Sequence, residues 1–214
     1  MAEQWTDLTV VRHGLTNWNA AGRFQGFLDV PLSETGRKQS RRLASRLAGS
    51  SFDVVYSSDL RRALETAAPT VRQLGMTIRH DPGLREWNLG EFQNMTRAEA
   101  RTRFEKEFHA YCYLEPDLVI PGGESYREFY QRSMASLETI ARAHSGQRVL
   151  IFSHGGVIVN LIRQTRSIPM HQNDAFSIPN TGMVSVSVKL GAILCWEKVN
   201  ADFKIEKLKR NKER

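Results

Sequence analysis

Apolar residues recur along this chain with two spacings, one typical of strands and the other typical of helices. Short apolar runs and alternating apolar positions predict strands at 8–11, 52–56, 76–79, 148–152, 181–189 and 192–199. Apolar residues three and four positions apart predict helices that follow Ser33 and cover 59–74, 125–144 and 157–164. Strands that alternate with helices predict an α/β fold of three layers, α/β/α, in which a mainly parallel sheet is flanked by helices.

Two segments interrupt this alternation. Residues 17–32 are rich in Asn, Gly and other polar residues, which predicts a loop. Residues 84–125 are less regular, and Thr96 and Glu99 fit a capping box that starts a charged helix over 96–109. We interpret about 87–124 as a helical insertion that forms a lid. The expectation is a single domain over 1–214 with a basic tail at about 204–214.

Three of the predicted strands end in polar residues. The first strand is followed by Arg12 and His13, the second leads into Arg61 and Arg62, and the strand at 148–152 is followed by His154. Because the carboxyl ends of parallel strands meet at one edge of a sheet, we expect these side chains to share a crevice. Guanidinium groups bind phosphate with paired hydrogen bonds, so the crevice predicts a phosphate site.

Two further features fit chemistry on a phosphate group. The pair Gly155-Gly156 opens a predicted helix, whose free N–H groups and dipole attract an anion. A neutral imidazole is a competent nucleophile, because its ordinary pKa is about 6.5.

A departing alkoxide needs a proton, and a carboxylic acid near the crevice could supply it. The preferred candidate is Glu86, which follows the strand at 76–79 and has Trp87 beside it, since an apolar neighbour favours the protonated form of a carboxyl group. Glu91 and Asp59 are rival candidates.

The chain has 214 residues and a formal net charge of +7, which favours anionic partners such as nucleic acid, acidic lipid or phosphorylated small molecules. Part of the excess lies in the basic tail. No RNA-binding aromatic motif and no helix-turn-helix pattern is visible, so a nucleic-acid-binding module with a vestigial pocket is a remote alternative. No apolar run approaches the ~18 residues of a membrane helix.

The remaining sequence features favour a reducing compartment and a reaction without a metal or other cofactor. No signal peptide is visible, and Cys112 and Cys195 are interpreted as small buried residues, so a cytoplasmic location is expected. No metal-binding or P-loop motif occurs in the sequence, and the other histidines are interpreted as surface or loop residues; these are His80, His109, His144 and His171. We therefore expect neither a metal nor another cofactor.

Several motifs, taken together, resemble the histidine phosphatase superfamily, the phosphoglycerate-mutase-like proteins, over most of the chain. They are Arg12-His13-Gly14 with Trp18-Asn19, Arg23-Phe24-Gln25-Gly26, Asp29-Val30-Pro31-Leu32-Ser33 with Gly36, Tyr56-Ser57-Ser58-Asp59-Leu60-Arg61-Arg62-Ala63 with Thr66-Ala67, Leu84-Arg85-Glu86 with Gly90, Pro121-Gly122-Gly123-Glu124-Ser125, and Ser153-His154-Gly155-Gly156.

This resemblance implies a role for each matching residue. His13 resembles the nucleophile that becomes a phosphohistidine, and Glu86 resembles the general acid that later activates water. The residues that resemble the phosphate clamp are Arg12, Arg62 and His154, to which Asn19 and Gln25 add contacts with the phosphoryl oxygens. Arg61 stands at a variable family position, so Arg62 is preferred. We assign Gly155 to phosphate binding as well, from its place at the helix start.

The chain departs from the family pattern at two places. Leu15 stands where relatives usually carry Glu or Gln, which leaves open how the nucleophile is oriented. The segment 90–94 differs from the Gly-x-x-Glu-Gly turn of many phosphatases, but Asn94 tolerates left-handed dihedral angles, so we expect the turn to survive.

The resemblance allows two reactions in one pocket. We prefer a metal-independent phosphatase that hydrolyses a small phosphomonoester, because about 40 residues between Glu86 and Ser125 look short for the closed site of a mutase. A cofactor-dependent phosphoglycerate mutase is the alternative. The partner is then a small phosphorylated metabolite, with no nucleic acid and no membrane expected.

The predicted lid carries four cations, which are Arg97, Arg101, Arg103 and Lys106. They could bind a second negative group of the substrate, but we prefer the interpretation that they form a solvated helix face.

Overall fold

A six-stranded sheet with the strand order β3-β2-β4-β1-β6-β7 forms the centre of the protein. The computed structural model describes residues 5–170, 172, 175–192, 194–202 and 207–208. The strands are β1 (Trp5–Arg12), β2 (Val54–Ser57), β3 (Ile78–His80), β4 (Arg148–Ser153), β6 (Met183–Lys189) and β7 (Cys195–Ala201), and a separate small pair consists of β5 (Ala175–Phe176) and β8 (Lys207–Leu208). The strands β3, β2, β4 and β1 pair in parallel, whereas β6 and β7 are antiparallel. The prediction of a mainly parallel sheet is confirmed.

Helices cover both faces of this sheet. They are α1 (Asn17–Ala20), α2 (Glu34–Leu47), α3 (Arg61–Leu74), α4 (Arg97–Arg103), α5 (Glu105–Tyr113), α6 (Tyr126–Ala143) and α7 (Gly155–Thr165). Neighbouring residues of a strand point to opposite faces. Val149 and Ile151 of β4 accordingly join the core beneath α6 and α7, while Leu150 and Phe152 pack with residues of α2 and α3. This alternation produces the predicted three layers.

Several predicted boundaries were wrong. The segment 17–32 is not entirely a loop, because Thr16 caps the short helix α1 with its side chain. The charged helix predicted over 96–109 begins as expected with the Thr96 capping box, but it ends at Arg103, and α5 starts anew after Phe104. Phe104 has ψ near +57° and packs against the core, so the two helices take different directions.

Three side chains differ in burial from their predicted settings. His144 lies in the turn after α6, as a loop residue should, but it is 6% exposed and is hydrogen-bonded to Tyr56 and Gln147, so it is not at the surface. Cys195 is exposed and Cys112 is half-buried, so neither is the fully buried residue that was predicted. His171 lies outside the described residues.

Some expectations stay predictions. Residues 87–124 contain α4 and α5, but their action as a lid and the single domain over 1–214 stay predictions. Of the basic tail, the structure describes residues 207–208 alone. Among the described helices, none has both the length and the apolar character needed to cross a membrane.

Candidate active site

The candidate active site lies at the carboxyl end of β1, where hydrogen bonds fix the backbone of His13. Its N–H donates to the carbonyl of Ser153 at the end of β4 (2.9 Å), and its carbonyl accepts from the side-chain amide of Asn180 (3.0 Å). The next residue, Gly14, donates its N–H to Thr66 of α3 (2.9 Å). The nucleophile candidate is therefore held between two strands and a helix.

The imidazole of His13 is 2% exposed and has a defined tautomer. Its Nδ1 lies 2.7 Å from the Gly14 carbonyl oxygen, which can only accept, so Nδ1 carries the proton. In the neutral ring, Nε2 then holds the lone pair. Burial, together with the positive charges of Arg62 and Arg12, lowers the pKa of His13 well below 6.5. The ring is consequently neutral near pH 7 and its Nε2 can attack an electrophile.

Three buried nitrogen atoms beside His13 have no hydrogen-bond partner among the described residues. They are Arg12 Nε, Arg62 Nε and His154 Nδ1, and the last is a donor when His154 Nε2 accepts from the Ser58 hydroxyl. The rings of His13 and His154 lie edge to face with centroids 5.3 Å apart, and both arginines lower the pKa of each histidine through their charge. Buried donors without a partner are costly, and a phosphate group would satisfy donors from all three residues.

Arg62 is fully buried, and backbone carbonyls hold its guanidinium group in place. Nη1 donates to the Leu28 carbonyl (2.8 Å) and Nη2 donates to the Gly26 carbonyl (2.7 Å), so the unpartnered Nε belongs to a fixed plane. Burial lowers the pKa of Arg62 to about 10, and the nearby Glu86 opposes this shift. The group therefore remains charged at neutral pH.

Arg12 and His154 are oriented by neighbours in the same way. Arg12 donates through Nη1 to the Ile178 carbonyl, and burial lowers its pKa while Glu86 opposes the shift. His154 Nε2 lies 2.9 Å from the Ser58 hydroxyl, which leaves Nδ1 as its unpartnered atom. Burial is the largest cause that lowers the pKa of His154 well below 6.5.

Glu86 also lines the pocket, and two backbone N–H groups hold its carboxylate. Oε1 accepts from Trp87 (3.0 Å), and Oε2 accepts from Gly156 in the first turn of α7 (3.2 Å). A side chain at Gly156 would overlap Glu86 Oε1 and come within 2.9 Å of the Phe129 ring. The glycine therefore allows the carboxylate to approach the helix terminus.

The two rival carboxylates do not lie in the pocket. Asp59 forms a two-point ion pair with Arg85, and this hydrogen bonding is the largest cause that lowers the pKa of Asp59. A carboxylate in this state is a poor proton donor. Glu91 is exposed and does not line the pocket. Of the three predicted acids, Glu86 is the one that the fold brings to His13.

Of the other residues that were predicted to bind phosphate, the structure brings only some into the pocket. Asn19 and Gln25 line the pocket, and Thr16 connects them, because its hydroxyl accepts from the Asn19 N–H and donates to Gln25 Oε1 (both 3.0 Å). Gly155 lies beside Arg12 but does not line the pocket. The four cations predicted to face either a second negative group or solvent do not line it either; these are Arg97, Arg101, Arg103 and Lys106. Arg97 instead packs over the rings of Phe24, Phe108 and Tyr111.

Leu15 and Asn94, the two departures from the family pattern, have simple structural settings. The backbone of Leu15 is bound by Gln39 Oε1 and by Ser33, and the residue does not line the pocket. Asn94 has φ near +69°, so the turn survives as predicted.

Ser58 and Asn180 were missed by the sequence reasoning. Ser58 belongs to the polar segment that follows the second predicted strand, and this position is only a weak signal of a role in the site. Asn180 lies in a turn before β6, and neither spacing nor composition distinguishes it from other turn residues.

His13 lies in a pocket of about 300 Å³ whose lining combines polar residues with six aromatic ones. Trp87, Tyr111, Tyr126 and Phe129, which we call the aromatic wall, line one side of it. Within the described part of the chain, no group of three or more His, Cys, Asp or Glu side chains could hold a metal ion.

An α/β sheet that brings histidines and arginines together at the carboxyl ends of its strands defines the class of phosphate-handling α/β enzymes. Residues 8–197 match the model of the histidine phosphatase superfamily (branch 1), and the chain belongs to this family. It is 39% identical over 165 residues to phosphoglycerate mutase-like protein 4 of Arabidopsis thaliana, an alignment that covers 76% of this chain and 72% of that protein.

Two further proteins extend the comparison. The chain is 40% identical over 156 residues to metal-independent phosphoserine phosphatase of Arabidopsis thaliana, covering 72% of this chain and 66% of the relative. It also superimposes on a mycobacterial glucosyl-3-phosphoglycerate phosphatase solved with VO3, with a TM-score of 0.77 and 28% identity. That superposition covers 93% of this chain and 98% of the other.

Proposed function

We propose that the protein is a phosphatase that hydrolyses a small phosphomonoester through a phosphohistidine on His13. One observation carries this proposal: unpartnered buried donors of Arg12, Arg62 and His154 surround an imidazole that is neutral near pH 7. Family membership and the phosphatases among its relatives support the same reaction.

The first step transfers the phosphoryl group to the protein. His13 Nε2 attacks phosphorus in line, the bond between phosphorus and the alcohol oxygen breaks, and that oxygen takes a proton from the Glu86 carboxyl group. The donors of Arg12, Arg62 and His154 stabilise the charge on the three phosphoryl oxygens. Because these donors are fixed by the fold before the reaction, little reorganisation is needed in the transition state.

The second step releases phosphate. A water molecule attacks phosphorus while the Glu86 carboxylate takes its proton, and the bond between phosphorus and Nε2 breaks. His13 returns to its neutral form and Glu86 to its protonated form. The balance is one phosphomonoester and one water consumed, with one alcohol and one phosphate produced.

The alternative is a phosphoglycerate mutase, which the name of the first Arabidopsis relative keeps open. A mutase passes the phosphoryl group to a second hydroxyl and depends on a bisphosphate to load its histidine. The test is release of inorganic phosphate from a panel of phosphomonoesters with and without 2,3-bisphosphoglycerate. We expect release that does not depend on the bisphosphate. Strict dependence, with interconversion of phosphoglycerates, would overturn the phosphatase proposal.

The partner and location belong to the same proposal. The substrate is a small phosphorylated metabolite, with no nucleic acid or membrane involved, and the protein acts in the cytoplasm. The basic composition that suggests a nucleic-acid-binding module also fits an anionic small substrate.

A further inference from the structure

We propose that the substrate's leaving group is uncharged and apolar and packs against the aromatic wall of the pocket, an inference that rests on the proposed phosphatase function. The pocket lining contains two chemically distinct groups of residues. Arg12, His13 and Arg62 can hold a phosphate, and nine of the other sixteen lining residues are aromatic or aliphatic; the polar ones are Asn19, Arg23, Gln25, Glu86 and Asn160. A monoester with its phosphate on the first group places its organic group against the apolar lining.

The aromatic wall is a packed unit that presents ring surface. Trp87 stacks on Phe129 with an interplanar angle of 5° and lies 5.4 Å from both Tyr111 and Tyr126. Leu114 and Val159 add aliphatic surface to the same pocket. Rings that are packed against one another are already ordered, so a ligand ring binds them with little loss of side-chain freedom.

The polar side-chain atoms of Trp87 and Tyr126 are engaged within the fold. The indole N–H of Trp87 donates to the Glu124 carbonyl (2.8 Å). The Tyr126 hydroxyl donates to Asn160 Oδ1 (2.8 Å), and the Asn160 amide donates to Ser133 (2.9 Å). The wall therefore recognises a ligand through its ring surfaces more than through hydrogen bonds.

The charges around the pocket do not match a charged leaving group. An amino acid or a phosphoglycerate would need a partner for its ammonium or carboxylate group. Among the described lining residues, Glu86 is the one carboxylate, and it is already assigned to proton transfer. Arg23 is the one cation beyond Arg12 and Arg62; Glu99 (3.2 Å) and the Asn94 carbonyl both bind its Nη1 at the exposed rim, so a carboxylate there would have to compete with Glu99. Discrimination against such groups follows from the cost of burying a charge without a partner.

The test compares kcat/KM for 2-phenylethyl phosphate, propyl phosphate and O-phosphoserine. All three esters release an aliphatic alcohol, so differences report binding more than the ease of breaking the ester bond. We expect 2-phenylethyl phosphate to exceed each of the other two at least about tenfold, since burying a hydrophobic group of this size contributes a factor of that order or more.

Two tyrosines of α5 provide a test variant and its matched control. Tyr111 lines the pocket, whereas Tyr113 on the same helix is 44% exposed. Tyr111→Ala should lower the ratio of kcat/KM for 2-phenylethyl over propyl phosphate severalfold, and Tyr113→Ala should leave both values unchanged. If Tyr111→Ala unfolds, Val159→Thr puts a hydroxyl into the apolar lining of the pocket with little change of shape and should lower the same ratio.

The outcomes separate the two proposals. Equal or faster turnover of propyl phosphate or O-phosphoserine would overturn the apolar leaving group and leave the phosphatase function intact. A ratio unchanged in both wall variants would also overturn it. The apolar leaving group would also be overturned if p-nitrophenyl phosphate phosphorylates His13 but none of the three esters is turned over. No turnover and no phosphorylation would contradict the phosphatase function itself.

Discussion

Two adjacent arginines at the start of α3 have opposite environments. Arg62 is fully buried with its guanidinium group bound by two carbonyls, while Arg61 is exposed and pairs with Glu65 one helical turn away. The sequence pattern alone left both open, and the resemblance to the family favoured Arg62. The reason for the difference is the helical rotation between neighbouring residues, which turns one side chain toward the crevice and the other toward solvent.

Replacing each arginine by lysine tests this assignment. Arg62→Lys keeps a positive charge but loses the planar group that aims Nε, so we expect kcat/KM to fall by about 10²–10³, as for the loss of one aligned donor to a charged transition state. Arg61→Lys should change kcat/KM less than about twofold. Steady-state kinetics on one phosphomonoester measures both. Equal losses in the two variants would contradict the phosphate role of Arg62.

Glu86 and Asp59 can be separated in the same manner. Glu86→Gln removes the proton donor, so we expect kcat for an alkyl phosphate to fall by about 10²–10⁴. The loss should be much smaller for p-nitrophenyl phosphate, because its phenolate departs without protonation. Asp59→Asn removes the ion pair with Arg85. It should leave the ratio of kcat for the alkyl phosphate to kcat for p-nitrophenyl phosphate the same as in the unchanged protein. A uniform loss for both substrates in Glu86→Gln would argue against proton donation.

At the scale of secondary-structure elements, the sequence predicts the central elements better than the insertion. The strands β1 and β4 and the helix α6 have strong apolar patterns, and they lie where they were expected. The break at Phe104 was missed, because the charges of 96–109 suit one continuous helix and only packing of the Phe104 ring against the core separates α4 from α5. Tertiary packing of this kind leaves no local signal in the sequence.

The first turn of α7 helps to position Glu86, the proposed acid. Gly156 donates its N–H to Glu86, and a methyl group there would overlap the carboxylate and approach Phe129. Gly156→Ala should therefore displace Glu86 and lower kcat for an alkyl phosphate by at least about tenfold. Gly49→Ala, where an added methyl group meets open space, is the control for a glycine replacement. Normal kcat in Gly156→Ala would show that Glu86 does not need this position.

At the scale of the whole molecule, the parallel sheet explains why distant motifs form one site. Arg12, Arg62 and His154 are separated widely in the sequence, but the strands β1, β2 and β4 end side by side. This convergence follows from the sheet topology and could be predicted from the sequence.

The aromatic wall could not be predicted from the sequence. Its residues Trp87, Tyr111 and Phe129 come from the insertion and from α6, and the placement of these two elements depends on tertiary packing.

Two neutral buried histidines should make the stability of the protein sensitive to mild acid. The pKa values of His13 and His154 lie well below 6.5 in the folded state, chiefly because of burial, whereas the unfolded chain takes up protons at about pH 6.5. The unfolded state therefore binds more protons below this pH. The free energy of unfolding should fall by up to about 1.4 kcal/mol per pH unit for each histidine as the pH drops below 6.5.

Denaturant unfolding between pH 7 and pH 5 measures this slope. His13→Asn and His154→Asn should each reduce the slope relative to that of the unchanged protein. An unfolding free energy that is constant over this range would contradict the neutral state of the two buried rings.

Covalent trapping of the phosphoryl group on His13 tests the central claim most directly. The protein is mixed with p-nitrophenyl phosphate, quenched in alkali within milliseconds to seconds, digested, and analysed by mass spectrometry. We expect a phosphate on His13 that is stable to alkali and labile to acid, and His13→Ala should lose both this phosphate and turnover. Full turnover with no phosphate on His13, or full turnover by His13→Ala, would rule out the phosphohistidine mechanism.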